Sequence, residues 1–193
     1  MSTDAERLRR TLSCNPSLVT VVERAAALGL PDCYVTGGAV FQTVWNVVCG
    51  RPPEAGIRDY DVFFFDPDRS WEAEDVVIGR ASEAFVDLAA SVEVRNEARV
   101  HLWYEKKFGV ACEPFTATED AIDHFAATTC CVGVRANDEG DWDVYAPHGL
   151  DDVFDMVLRP NPVLAPRDVY EAKAARWQRE WPRLRVDPWP TAR

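Results

Sequence analysis

The sequence predicts an α+β fold in which helices flank a central mixed sheet. Three observations lead there. Strand-like and helix-like segments are interleaved along the whole chain. Asp59 to Phe65 is the clearest strand in the chain, its two aspartates alternating with Tyr60 and Val62 before three phenylalanines, and it is followed by a long amphipathic segment. Two β-rich runs, Cys130–Ala136 and Trp142–Tyr145, bracket Asn137-Asp138-Glu139-Gly140-Asp141, which reads as a hairpin turn and so requires antiparallel pairing.

The elements follow in order. Residues 3–13 and 16–28 read as helices. The second starts at Asn15-Pro16, a cap followed by a proline at the first helical position, and Gly29 stops it. Cys33-Tyr34-Val35-Thr36 reads as a short buried strand running into Gly37-Gly38. Ala39 to Cys49 is nearly all apolar, too long for a typical strand, and carries Gln42, Thr43 and Asn46 as its polar stripe. It is predicted to be a largely buried helix. After the Arg51–Gly56 loop comes the strand 59–65. A helix over 71–89 is expected to turn Val76, Val77, Ala81, Ala84, Phe85 and Leu88 inward. Residues 91–104 read as one or two strands, 120–125 and 149–156 as short helices, and 167–180 as the last helix, with Val169, Tyr170, Lys173, Ala174 and Trp177 on one side.

Composition narrows the function. The chain has 193 residues, 47% hydrophobic and 27% charged, enough to bury a core without disulfide staples. Its 21 basic and 32 acidic residues give a formal charge of -11. That balance disfavours nucleic acid as a partner, because phosphate-backbone affinity comes from Lys and Arg, and it disfavours anionic membranes. No run of about 18 apolar residues occurs, so no membrane span is expected. Met1 to Arg7 carries acids and no apolar stretch, unlike a leader peptide. The six cysteines show neither CxxC nor zinc spacing. Cys130 and Cys131 are expected as inert thiols on opposite faces of a strand, and the expected compartment is a reducing cytoplasm. The acidity is uneven. Residues 159–193 carry a net +4, expected as a solvated helix face or a segment docked on the acidic body.

The chemistry centres on two motifs. Alternation places Asp59, Asp61, Phe63 and Phe65 on one face of their strand, with the two aspartate Cα atoms about 6.5–7 Å apart. Both carboxylates can therefore converge on one hard cation, Mg2+ or Mn2+. Alternatively they sit at an exposed strand start, beside Arg58. Gly37-Gly38 joins a strand to a helix. It either presents backbone N–H groups to a phosphate or is a plain turn. A third carboxylate, Glu93, stands between Val92 and Val94 on the next strand, with Glu97 as its alternative if a bulge shifts register. Alternation would put Glu93, Arg95, Glu97, Arg99 and His101 on one face. His148 reads as structural or exposed, and Trp103, Trp142 and Trp177 as core. Metal-bound carboxylates opposite a phosphate cradle are the equipment of phosphoryl or nucleotidyl transfer.

The order of these motifs resembles the nucleotidyltransferase superfamily shared by DNA polymerase beta, tRNA nucleotidyltransferases and aminoglycoside nucleotidyltransferases. The residues carrying it are Val35-Thr36-Gly37-Gly38, Asp59-Tyr60-Asp61-Val62 and Val92-Glu93-Val94. Longer blocks are similar to a bacterial family of stand-alone nucleotidyltransferase-like proteins. These include Gly38–Asn46, Asp59–Asp66, Val94–Trp103, Ala146–Phe154 and Arg159–Pro162. The resemblance implies a DNA polymerase beta-like core over residues 1–115 and a C-terminal α/β extension over 116–193 packed on it. It implies that Asp59, Asp61 and Glu93 are catalytic and hold two Mg2+ or Mn2+ ions, and that Gly37, Gly38 and Arg95 bind nucleotide. The implied reaction moves an NMP from an NTP, with ATP favoured, to an acceptor hydroxyl on a small molecule or protein, releasing pyrophosphate. A catalytically silent nucleotide- or metal-binding regulatory module on the same fold is the alternative. A metal protein using Asp and His is a third reading, weakened by the lack of clustered His and Cys. Two departures stand out: twenty residues separate Gly38 from Asp59, more than the superfamily usually has, and Gly38 occupies a position where many members carry Ser.

Overall fold

The computed structural model describes residues 3–191. Met1, Ser2 and Arg193, part of the expectations for the chain start and the basic tail, lie outside the described residues. The elements run α1 (Asp4–Leu12), α2 (Pro16–Ala27), β1 (Tyr34–Thr36), α3 (Gly38–Val48), β2 (Asp59–Phe64), α4 (Trp71–Ala84) and β3 (Ser91–Asn96). They continue with α5 (Tyr104–Phe108), α6 (Thr118–Asp123), β4 (Gly133–Ala136), β5 (Trp142–Tyr145), α7 (Asp151–Phe154), β6 (Val157–Leu158), α8 (Arg167–Glu180) and β7 (Arg185–Val186). Five strands form one sheet in the order β3-β2-β1-β4-β5. β1 is antiparallel to both β2 and β4, β2 runs parallel to β3, and β4-β5 is an antiparallel hairpin. The sheet is therefore mixed, and its last two strands come from beyond residue 116.

Side-chain alternation divides the sheet into two faces. Tyr60, Val62 and Phe64 of β2 point with Val35, Val94 and Val134 into the main core, where the helices pack. That core includes Trp45, Trp177, Trp181 and Phe41, whose rings meet in tilted and edge-on contacts 4.8–5.9 Å apart. Asn15 caps α2 through its Oδ1, which accepts the Leu18 N–H, while its Nδ2 donates to Thr43 Oγ1 of α3. Asn46, fully buried, donates to the carbonyls of Pro53 and Ala55 and accepts from Trp181 Nε1. One polar residue in α3 thus fixes both the long loop before β2 and the segment after α8.

The structure departs from the sequence expectations in several places. The strand begun at Ser91 ends at Asn96, because Asn96 turns its side chain back to the chain. Its Nδ2 donates to the carbonyls of Asp66 and Asp68, and its Oδ1 accepts the Ala98 N–H, capping a 3-10 turn over Glu97–Leu102. Glu97, Arg99 and His101 consequently do not continue the face of Glu93 and Arg95. Arg99 is buried against Glu74, Nε to Oε2 at 3.1 Å. α4 is shorter than predicted, ending at Ala84, and Val76 is 63% exposed. Cys130 and Cys131 are both buried but lie at a 3-10 turn, with the strand starting only at Gly133. Burial pushes both thiols up, Cys131 to about 12, consistent with inert core groups. Among the described residues, no helix is long and apolar enough to cross a membrane.

Candidate active site

The second face of the sheet carries the site. In register across β1, β2 and β3 lie Thr36, Asp61 and Glu93. Neighbouring strands are about 4.8 Å apart, so Asp61 and Glu93 stand side by side. Asp59 is one pleat back on the same face. Thr36 is fully buried and donates its hydroxyl to the Val132 carbonyl at 2.6 Å, which fixes the end of β1 where the chain turns into Gly37.

Gly37 is the N-cap of α3, with φ 69° and ψ -153°. Two independent constraints require glycine here. The φ lies in the left-handed half of the map, and a Cβ would stand 2.2 Å from Asp61 Oδ2. The carboxylate of Asp61 is therefore packed against bare backbone at the start of an 11-residue helix. At Gly38 a Cβ would meet Gln42 Nε2 at 2.7 Å, the far end of a side chain.

The acids repel one another, and nearby cations offset this only in part. The Asp61 carboxyl is pushed up to about 7, first by burial and then by Asp59 and Glu93, against the opposing pull of Lys173 and Arg95. Glu93 is about half exposed, and its Oε2 accepts from Arg95 Nη2 at 3.3 Å. Among the described residues, no three His, Cys, Asp or Glu side chains are gathered closely enough to hold a metal ion by themselves. Hard oxygen donors with unneutralised charge nevertheless suit Mg2+, which uses one or two carboxylates and completes its shell with waters and substrate phosphates. The residues present fit such an ion.

A cleft with two lobes opens at Asp61. The first lobe, about 440 Å³, is lined by Gly37, Gly38, Gln42, Asp59 and, from α8, Lys173 and Arg176. The second, about 430 Å³, is lined by Glu93, Arg95, Glu97, Val100 and Phe115. Both share Asp61, Phe63, Trp103, Tyr104, Lys107, His124 and Phe125. Of the residues named from sequence, the structure brings Gly37, Gly38, Asp59 and Asp61 into one lobe. It places Glu93 and Arg95 in the other, with Asp61 at the junction. Glu97 is not on the strand. It sits 4% exposed on the wall of the second lobe, its carboxyl pushed up to about 8 by burial, Asp61 and Glu74.

Sequence reasoning missed the cations of the first lobe. Lys173 and Arg176 belong to a helix expected as a solvated or docked face. α8 in fact buries Tyr170, Ala174 and Trp177 and turns its two cations toward Asp59 and Asp61. Their spacing of three on one helix, beside an apolar stripe, was the available signal. Trp103, expected in the core, is 43% exposed on the shared wall, and Lys107 Nζ lies 5.2 Å from its ring centroid. Trp177 is buried as expected, and His148 is exposed.

The comparisons with known proteins agree with this architecture. A solved structure described as a CCA-adding enzyme head domain, determined by NMR, superposes with a TM-score of 0.77 at 24% identity, covering 97% of this chain and 98% of that one. Two structures of a tRNA-processing enzyme, an apo form and a complex, superpose with TM-scores of 0.54 and 0.52 at 15% and 14% identity. This chain covers 90% and 86% of itself in those matches but only 44% and 43% of theirs. No curated protein matches. At these identities the likeness shows the fold. The family model described as Nucleotidyltransferase matches residues 23–186, a span that takes in every residue of the cleft, and the chain belongs to that nucleotidyltransferase family.

Proposed function

We propose that the protein is a metal-dependent nucleotidyltransferase that moves an NMP from an NTP to an acceptor hydroxyl. The observation that carries this reading is the row of Asp59, Asp61 and Glu93 beside the bare backbone of Gly37-Gly38, in one cleft with two α8 cations. The first lobe has the parts of a triphosphate site. The α3 N-terminus offers backbone N–H groups and the positive end of the helix dipole. Lys173 and Arg176 add full positive charge from the opposite side. The acceptor would enter by the second lobe, where Glu93 meets the junction.

Asp59, Asp61 and Glu93 would hold two Mg2+ or Mn2+ ions, with ATP the favoured nucleotide. When bound, such ions neutralise phosphate charge and lower the pKa of a coordinated hydroxyl. The chain's own residues do the positioning. Gly37-Gly38 and the two cations hold the β- and γ-phosphates, leaving the α-phosphorus at Asp61. Glu93 orients the acceptor hydroxyl for in-line attack. The acceptor O–H gives up its proton to a carboxylate of the row or to water. The new bond forms from acceptor oxygen to α-phosphorus, and the bond from α-phosphorus to the bridging oxygen breaks. Pyrophosphate leaves with that electron pair. The -11 charge supports a small molecule or protein as acceptor rather than a polynucleotide, although two of the structural neighbours are described as tRNA-processing enzymes.

The test is incubation of the protein with each of the four labelled NTPs, Mg2+ and a cell extract. The expected result is a labelled product that Asp61→Ala and chelation both abolish. No transfer from any NTP would sink the enzymatic reading and leave a silent binding module.

A further inference from the structure

We propose that the second lobe of the cleft binds an amine-bearing acceptor, whose ammonium group docks on the carboxylate of Glu97 against an aromatic wall. This rests on the reading of the cleft as a transferase site, and it adds the chemical class of the acceptor.

Glu97 carries the argument. It is 4% exposed and lines the lobe, yet its side chain has no hydrogen bond or ion pair among the described residues. The two acids nearest it in function are served. Glu74 holds Arg99, and Glu93 accepts from Arg95. A buried carboxyl without a partner is costly to keep unless something supplies one, and in a cavity of about 430 Å³ the available partner is a ligand.

The surroundings choose the ligand. Trp103, Tyr104, Phe115 and Phe125 share the wall with Glu97. Aromatic faces do not replace the water shell of a small dication, but they attract an organic ammonium. The wall already does so once: Lys107 Nζ lies 5.2 Å from the ring centroids of both Trp103 and Phe108. A carboxylate backed by rings therefore suits an alkylammonium better than a second metal ion. Glu97 stands four residues from Glu93 and beyond the end of the strand, so the amine and the reacting hydroxyl of the acceptor are several bonds apart. The volume admits a molecule of monosaccharide size or larger.

The test is calorimetric titration of the full chain, without nucleotide, with two matched pairs: glucosamine against glucose, and 6-aminohexanol against 1,6-hexanediol. The expected result is saturable binding of at least one amine, ten-fold or more tighter than its neutral counterpart. Glu97→Gln should weaken that binding at least ten-fold, and Glu97→Asp should weaken it less. Both variants are checked for a cooperative melt, and the isosteric Gln keeps the side chain's shape and adds no charge. Three outcomes overturn the proposal: neither amine binds below millimolar concentration, the amine and neutral partners bind equally, or Glu97→Gln leaves amine affinity intact. A ten-fold loss of Mg2+ affinity in Glu97→Gln would also overturn it, by making Glu97 a metal ligand. Mg2+-ATP titration of Asp61→Ala separates this from the parent reading. If Asp61→Ala binds nucleotide as wild type does, the transferase reading fails whatever the amines do.

Discussion

Replacing Asp61 by Asn should make the metal-free protein more stable, and the gain should depend on pH. The folded state raises the Asp61 carboxyl from its ordinary 3.8 to about 7, by burial and by the charges of Asp59 and Glu93. Each pKa unit corresponds to about 1.4 kcal/mol, so ionising Asp61 costs the folded state up to about 4 kcal/mol relative to the unfolded chain. Water in the open cleft screens part of this, and about 1–3 kcal/mol is the expected share. The sign follows from proton binding. Between about pH 4 and 7 the folded state holds a proton that the unfolded state has lost, so wild-type stability falls as pH rises through that window and levels off above it. Asn carries no such penalty. The variant should therefore match wild type near pH 4 and exceed it at pH 8. The excess is about 2–12 °C in Tm, because about 1 kcal/mol moves a chain of this size by roughly 2–4 °C. Scanning calorimetry in EDTA across pH 4–8 measures it. Adding millimolar Mg2+ should then raise the wild-type Tm and not the variant's. A variant no more stable than wild type at pH 8, or stabilised equally at both ends, would refute the account of Asp61 as a buried acid beside two like charges.

Other outcomes follow from the same geometry. Mg2+ affinity of the wild type should rise between pH 6 and pH 8 as Asp61 loses its proton, and calorimetric titration at several pH values reads this directly. Gly37→Ala should destabilise the fold by about 2 kcal/mol in urea melts and lower Mg2+-ATP affinity, because both its φ of 69° and the approach of Asp61 Oδ2 exclude a Cβ. Lys173→Met should weaken Mg2+-ATP binding about ten-fold while leaving adenosine binding unchanged, since the lysine lines the lobe proposed to hold the phosphates. Arg99→Met, which leaves Glu74 buried without its cation, should cost about 3–5 kcal/mol, and the Glu74→Gln/Arg99→Met double variant should recover most of it.

Much of this architecture is legible in the sequence because period decides it. β2 could be read because Asp59, Asp61 and Phe63 alternate with Tyr60, Val62 and Phe64, and the burial of those residues alternates in the same phase. α3 and α8 could be read from their length and stripe, and α8 matches its predicted bounds. The region after Asn96 could not. Val100 and Leu102 continue an apparent strand period, yet four hydrogen bonds at the Asn96 side chain, two donated and two accepted, turn the chain into a 3-10 segment. Such side-chain-to-backbone competition leaves no trace in hydropathy. The cations of the cleft were hidden for another reason. Their spacing of three marks a shared face of α8, but only tertiary packing decides that this face meets Asp59 and Asp61.

The origin of those cations sets an order of events during synthesis. The glycines, the aspartates and Glu93 emerge first, and Lys173 and Arg176 follow roughly 80–140 residues later. At about 5–20 residues per second, the acids are made several seconds before the cations that face them. A nascent chain could thus gather a divalent ion before it could grip a triphosphate. On the proposed reading, competence toward nucleotide then waits for α8 to be made.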